Sequence, residues 1–382
     1  MNTSISYIIL LLYIGINVLF VDKYTARITS YHAVCAVVYF LVAGTGAIFI
    51  QRITESLRKP KLWLMITCCV GIATGIVLQY NIDPYSIQVD RWSAIHHFLD
   101  AMLQGDYPYG QQTHLGGYGS PLPVWQIIHL PFYAIGNVGL SIVVVIALYI
   151  FSIAKIHGVR PALIAILLII ASPAYWYEIA VRSDLITNLM LVGVVCEWLV
   201  YYRKELKDNC VGIGVLAGLL LATRLIAVIP LAVIYGYEFL KIGWKKQCIF
   251  LIAVLGTFAL IIAPFVFWEG STLLFFEYNP FVLQTRQGSA LAGIIFGIIA
   301  LGITIYVGYE RRSRLAITGG LLTLLVCIAF IEKMCRYDMW NALYTSAFDI
   351  TYFSIALPYY ILHLATHRIR LPYRGINDES DS

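Results

Sequence analysis

The sequence predicts an all-α polytopic membrane protein, with about twelve transmembrane helices and juxtamembrane helices in a large first extracytoplasmic loop. Three observations predict it. The 382 residues are 60% hydrophobic and only 12% charged, whereas a soluble domain is roughly 45–50% apolar and about 25% charged; the mean hydropathy is +0.79. The apolar residues gather into runs near the roughly 20 residues a helix needs to cross a bilayer. The basic residues gather in every second linker between those runs, as the positive-inside rule describes. This composition excludes a disordered chain, a collagen-like chain and a secreted disulfide scaffold, and it disfavours a soluble enzyme of two or three domains. The net charge of +5 is modest and points to no nucleic-acid partner.

In chain order the runs are 4–21, 33–50, 62–80, 139–155, 160–175, 185–202, 211–223, 225–240, 248–267, 291–309, 315–331 and 348–366. The pair 211–223 and 225–240 is short for two crossings. A further run, 122–136, decides the topology. If it stays in the interface, the linkers 52–61, 155–160, 203–207, 241–246 and 311–314 share one side with the tail, and together they carry 18 of the 26 Lys and Arg. If it crosses, fourteen of those charges change sides. The rule therefore makes 122–136 re-entrant or juxtamembrane and both termini cytoplasmic.

Residues 1–366 are then expected to form a single transmembrane domain, with 81–138 an ordered extracytoplasmic loop and 367–382 a frayed cytoplasmic tail. Eight basic residues face outward: Lys23, Arg27, Arg91, Arg182, Arg224, Arg286, Lys333 and Arg336. No cleavable signal-peptide pattern occurs, so the first span is expected to be retained; the location expected is the plasma (inner) membrane. Of the eight cysteines only Cys335 faces outward, which argues against a disulfide or a paired metal site. Gly71-x-x-x-Gly75, and Gly212-x-Gly214 with Gly218, read as close helix packing.

The first loop carries the chemistry. Residues 90–105 suit an amphipathic helix at the membrane surface. Trp92, Ile95, Leu99, Met102 and Leu103 fall on one face, with Asp90 at the N-cap and Gly105 at the stop. Asp90 is thus a cap, a catalytic carboxylate at the membrane boundary, or both. Asp83, Asp100 and Asp106 read as structural. Gly105-Asp106-Tyr107-Pro108-Tyr109 and Gly116-Gly117-Tyr118-Gly119-Ser120-Pro121-Leu122-Pro123 offer turns and flat aromatic faces. Tyr107, Tyr109 and Tyr118 could hold a sugar ring or a lipid head group, or form an interfacial aromatic belt. His96, His97 and His114 could serve as base or ligand; His97, on the polar face, is counted among the substrate contacts.

Ionisable groups at membrane depth are functional candidates by default. Arg182 and Asp184 stand where an outward span turns back, as functional groups or as an ion pair closing the turn. Arg224 lies between two apolar runs with no acidic neighbour in sequence, so it needs an anionic ligand or a distant carboxylate. Arg286 is a further outward arginine. A guanidinium suits phosphate because its planar fork bonds two oxygens at once. No Gly-x-x-x-x-Gly-Lys loop, His-Glu-x-x-His or Asp-x-Asp motif is present.

Taken together, the Asp early in the first large outward loop, the aromatic-rich helix, Gly-x-Tyr-Pro-Tyr and Ser-Pro-Leu-Pro resemble the GT-C superfamily of integral membrane glycosyltransferases. The nearest flavour is the mannosyltransferase-like bacterial branch that uses polyprenyl-phosphate sugars. The likeness continues through Ser-Pro-Ala-Tyr-Trp, Arg182-Ser-Asp184 and Gly218-Leu-Leu-Leu-Ala-Thr-Arg224, and covers about residues 62–270. The resemblance implies an all-helical fold and an inverting transfer of a hexose, with mannose the sugar that branch suggests. The donor would be a polyprenyl-phosphate sugar, the acceptor an extracytoplasmic glycan or lipid, and the site on the extracytoplasmic face. By the same resemblance Asp90 matches the first-loop catalytic Asp, Asp184 a second acidic position, and Arg182 and Arg224 places where basic residues meet the donor phosphate. Two spans precede the one leading into the loop, where one is usual. A divalent cation on Asp90, Mg2+ or Mn2+, is left open. The alternatives are a transporter or flippase for lipid-linked glycans, and a non-catalytic scaffold.

Overall fold

The computed structural model describes residues 2–274, 278–310, 313–345 and 347–367; the tail after 367 lies outside the described residues. The chain opens with α1 (Asn2–Thr25), α2 (His32–Ser56) and α3 (Pro60–Asn81). The first loop holds α4 (Arg91–Gln104), α5 (Pro123–Ile128) and α6 (Leu130–Ala134). Then come α7 (Leu140–Ile156), α8 (Val159–Ile170), α9 (Pro173–Ala180), α10 (Leu185–Tyr201), α11 (Cys210–Leu221), α12 (Val228–Lys241) and α13 (Trp244–Val266). The last part is α14 (Pro280–Thr285), α15 (Ala290–Glu310), α16 (Arg314–Tyr337), α17 (Met339–Tyr344) and α18 (Leu357–Thr366), the last preceded by a 3-10 segment, Ile350–Ala356. Among the described residues the chain is all-helical but for one isolated bridge between Gln112 and Tyr118.

Every predicted apolar run holds a helix, but twelve full-length crossings are not what the helices provide. Five are long and apolar enough to cross a membrane: α1, α2, α3, α13 and α16. The α8–α9 pair, bent by 69°, makes a sixth if it crosses as one span. Five further apolar stretches have 10–17 residues. The 12 residues of α11, at 1.5 Å each, rise about 18 Å, against a hydrocarbon core roughly 30 Å thick.

Two breaks explain part of the shortening. Pro173 forces Ser172 out of the helical region (ψ 110°), and the Ser172 hydroxyl then accepts from Tyr175 N at 3.4 Å. Between α11 and α12, Arg224 is extended (φ −153°, ψ 140°). The carbonyls freed there are not left bare. Thr223 O accepts from Leu122 N at 3.0 Å and Ala222 O from Val124 N at 3.1 Å. Gln284 accepts from Leu225 N at 2.8 Å and donates to Ser120 O at 2.7 Å. Interrupted backbone at membrane depth requires such partners. The 122–136 run is no single span either; it forms α5 and α6, of six and five residues.

The main core joins α1, α7, α8, α10, α16 and α18. Two of its buried phenols reach backbone carbonyls: Tyr13 donates to Leu168 O at 2.6 Å and Tyr149 to Pro358 O at 2.5 Å. A Cβ on Gly214 would lie 2.6 Å from the Ala253 Cβ, and one on Gly218 2.7 Å from Val254 O. Small residues there let α11 and α13 meet closely. A second core beneath α4 gathers Trp92, Ile95, Phe98 and Leu99 with Tyr109, Leu122, Trp125 and, from α13, Ile262 and Phe265. Phe98 completes the buried face of α4, and Leu103, expected there, is exposed. All eight cysteines are free.

Candidate active site

Asp90 stands at the N-cap position of α4, but its side chain makes no capping bond. Its Oδ2 instead accepts from Thr113 Oγ1 at 2.7 Å. Thr113 is held by a tight turn: its amide donates to Gly117 O at 2.8 Å, and its hydroxyl accepts from Gly117 N at 3.0 Å. A Cβ on Gly117 would stand 2.7 Å from Asp90 Oδ2. Glycine at that position is what admits the carboxylate.

Asp90 opens on a polar cavity of about 320 Å³. Four predicted site residues line it: Asp90, Tyr118, Arg224 and Arg286. Lys23, Tyr24, Arg27, Arg91, Tyr177 and Asp349 also line it, and sequence reasoning missed their part in a site. Five of the eight basic residues assigned to the outward side therefore converge on one cavity. That charge bias was the available signal for Lys23, Arg27 and Arg91. Nothing marked Asp349, which lies inside an apolar run.

Each cation is positioned by a different element. Arg224 is extended at the α11–α12 break and 5% exposed. Its Nη2 donates to Asp184 Oδ2 at 2.5 Å and its Nη1 lies 3.5 Å from Ser120 Oγ, while Nε has no partner among the described residues. Arg91 Nη1 donates to Ser183 Oγ at 2.7 Å; its Nη2 donates to Asp349 Oδ2 at 2.6 Å and Thr351 Oγ1 at 2.8 Å. Burial alone would lower the Arg91 guanidinium, but Asp349 and, behind it, Tyr352, Asp184 and Tyr177 together outweigh burial and hold the pKa above its usual range. Arg286 is exposed and follows α14, a turn capped by Asn279. Tyr118 stacks on Tyr278 with ring centroids 5.6 Å apart.

Asp184 does not line the cavity. It is 2% exposed, and its Oδ2 also accepts from Trp125 Nε1 at 2.7 Å. Burial pushes its pKa up, and the Arg224 guanidinium, by charge and hydrogen bond, together with Arg91 and His129 keeps it below the ordinary aspartate value. The distant carboxylate that Arg224 needs is thus Asp184, and the Arg182–Asp184 turn pair does not form. Arg182 points elsewhere: its Nη2 donates to Gln79 O at 2.6 Å, and it does not line the cavity. His97 Nδ1 bonds Gln112 O at 2.7 Å and braces the loop. Tyr107 and Tyr109 pack into the core beneath α4, and the Tyr109 hydroxyl donates to Pro121 O at 3.2 Å. Arg182, His97, Tyr107 and Tyr109 are therefore placed outside the cavity.

A second, largely apolar cavity of about 590 Å³ adjoins the first. Leu189, Leu225, Ile229, Phe296 and Val326 are among its walls. The two cavities share Arg224, Gln287, Phe348 and Tyr352. Asp349, the cavity's other carboxylate, is held by Arg91, so a divalent ion at Asp90 would find one free carboxylate among basic side chains. No group of three His, Cys, Asp or Glu comes together among the described residues, so the donor set does not fit a protein-held ion. No protein-family model, curated protein or solved structure matches this chain.

Proposed function

We propose that the protein is an integral membrane glycosyltransferase that moves a sugar, a hexose, from a polyprenyl-phosphate donor to a glycan or lipid acceptor on the extracytoplasmic face of the plasma membrane. One observation carries this reading: a polar cavity lined by Asp90 and several cations adjoins an apolar groove and shares Arg224 with it. An amphiphilic donor fits that pair of cavities. Its lipid chain takes the groove, its phosphate meets Arg224 and Arg286, and its sugar faces Asp90.

The chemistry follows from those positions. Asp90 takes the proton of the acceptor hydroxyl. The acceptor oxygen forms a bond to the anomeric carbon from the face opposite the phosphate. The bond from that carbon to the phosphate oxygen breaks, and its electron pair leaves on the phosphate. Configuration inverts. Arg224 and Arg286 stabilise the charge that develops on the phosphate. Asp184 acts behind Arg224 as its counter-ion, and Tyr118 offers a flat wall to the sugar.

In this reading the twelve apolar runs each cross or enter the membrane, with both termini cytoplasmic. The broken α8–α9 and α11–α12 pairs also suit a transporter or flippase, where discontinuous helices commonly frame the substrate. Transfer and flux separate the two. Purified protein in liposomes with labelled polyprenyl-phosphate hexoses and cell-envelope acceptors should give a glycosylated product, lost in Asp90→Asn. Movement of the intact labelled lipid between leaflets without product would replace the transferase with the flippase.

A further inference from the structure

We propose that the cavity is built for two anionic groups, and that the sugar acceptor is therefore itself an anion, bound at Lys23 and Arg27. This rests on Asp90 marking the transfer site, and the cavity's charges carry it. Two of its five cations have a carboxylate of their own: Arg91 on Asp349, and Arg224 on Asp184. Lys23, Arg27 and Arg286 have none among the described residues. Lys23 is 5% exposed; among the described residues its Nζ donates to backbone alone, Thr345 O at 3.1 Å and Phe348 O at 3.5 Å.

The nearby carboxylates are taken. Asp22 bonds His32 at 2.6 Å and accepts from the Tyr344 hydroxyl. Asp349 Oδ2 holds Arg91, and its Oδ1 accepts from the Thr351 amide at 3.0 Å and hydroxyl at 2.6 Å. Arg27 lies over the Tyr24 ring at 5.0 Å, and Tyr24 stacks on Tyr177 at 4.3 Å.

Among the described residues, three cations without an ion-pair partner therefore face one such carboxylate, Asp90. The single negative charge of a sugar phosphodiester leaves a positive charge over. A buried ammonium needs a counter-ion; among the described residues the Lys23 ammonium feels only the Asp349 carboxylate, which Arg91 already holds, and an acceptor bearing a phosphate or carboxylate supplies a second. Lys23, Tyr24 and Arg27 line the polar cavity but not the lipid-sized groove, so the donor's phosphate at Arg224 does not claim them.

The probe is inorganic phosphate. The full-length protein in nanodiscs of neutral lipid is dialysed against radiolabelled phosphate at constant ionic strength, and bound equivalents are counted. The expected count is about two per chain, because each cation set offers its own charge-assisted bonds. Arg27→Gln should remove one and Arg286→Gln the other. Lys23→Gln should also remove one, and Arg27, being exposed, keeps the test open if that variant fails to fold. A count of one or none in the wild type, or an unchanged count in Arg27→Gln, would overturn the second anion site. None of these results touches the transferase reading, which stands or falls on product formation in Asp90→Asn.

Discussion

Asp90 and Asp184 occupy the same local position, one residue before α4 and one residue before α10, and neither caps its helix. Their surroundings then part. Asp90 is half-buried, holds one hydroxyl and faces the polar cavity. Asp184 is sealed between Arg224 and the Trp125 indole. Local sequence offers a carboxylate at a helix start in both regions. What becomes of it depends on whether the chain brings a cation up against it or leaves it facing a space.

The comparison can be broken most forcefully at Asp90 itself. Asp90→Asn should lower sugar transfer by about 10²–10⁴-fold, the usual worth of a positioned general base, with thermal unfolding unchanged. If turnover stays near normal while the protein is folded, Asp90 is not the base. Asp184→Ala should show the opposite signature. It leaves Arg224 buried and uncompensated, so stability should fall by about 3–5 kcal/mol in denaturant unfolding. Asp184→Leu with Arg224→Met should be more stable than either single variant, since the pair is removed together. Losses in the two single variants that simply add in the double variant would show that the two residues are not coupled.

A gentler test moves Asp90 without changing it. Gly117→Ala places a methyl 2.7 Å from Asp90 Oδ2. Transfer should drop roughly 10–100-fold, as a displacement of an ångström can cost. Gly119→Ala, whose nearest neighbour is the Ala94 Cβ at 3.5 Å, should cost much less. Equal effects at the two glycines would detach Gly117 from the carboxylate. The smallest effect is expected from Tyr109→Phe. It removes the hydroxyl bonded to Pro121 O and should cost about 0.5–1.5 kcal/mol of stability, with transfer rates unchanged. A large loss of transfer would return Tyr109 to the substrate contacts.

The fold was legible where it depends on local pattern. Apolar runs of the right length announced the helices, and Gly105 ended α4 as expected, in a left-handed turn (φ 88°). The span count was not legible, because run length does not reveal a break. Thr223 and Arg224 read as the join of two short runs, yet the chain is extended there only because Leu122 and Val124, a hundred residues away, supply donors to the freed carbonyls. The lining of the candidate site was legible in its unusual residues: Asp90 in the first loop, and Arg224 and Arg286 among or beside apolar runs. Its other half was hidden by distance. Arg91 and Asp349 are 258 positions apart, and Asp349 looks in sequence like the edge of an apolar run. The packing of Tyr107 and Tyr109 was hidden for the reverse reason: an aromatic in a loop looks like a contact surface until the helix above it is known to need a floor.

The Ser-Pro-Leu-Pro-Val segment also bears on how the protein is put together. Pro121 and Pro123 have no amide hydrogen, so Leu122 and Val124 present the donors of this stretch, and both go to the α11–α12 break. That break is intolerable in a bilayer without them. The first loop leaves the ribosome well before α11, so it is already waiting when the hairpin arrives. The order of synthesis thus places the plug before the gap. Asp90, the proposed base, and Arg224 come together in the step that makes the hairpin stable, and a half-assembled chain carries no half-built cavity.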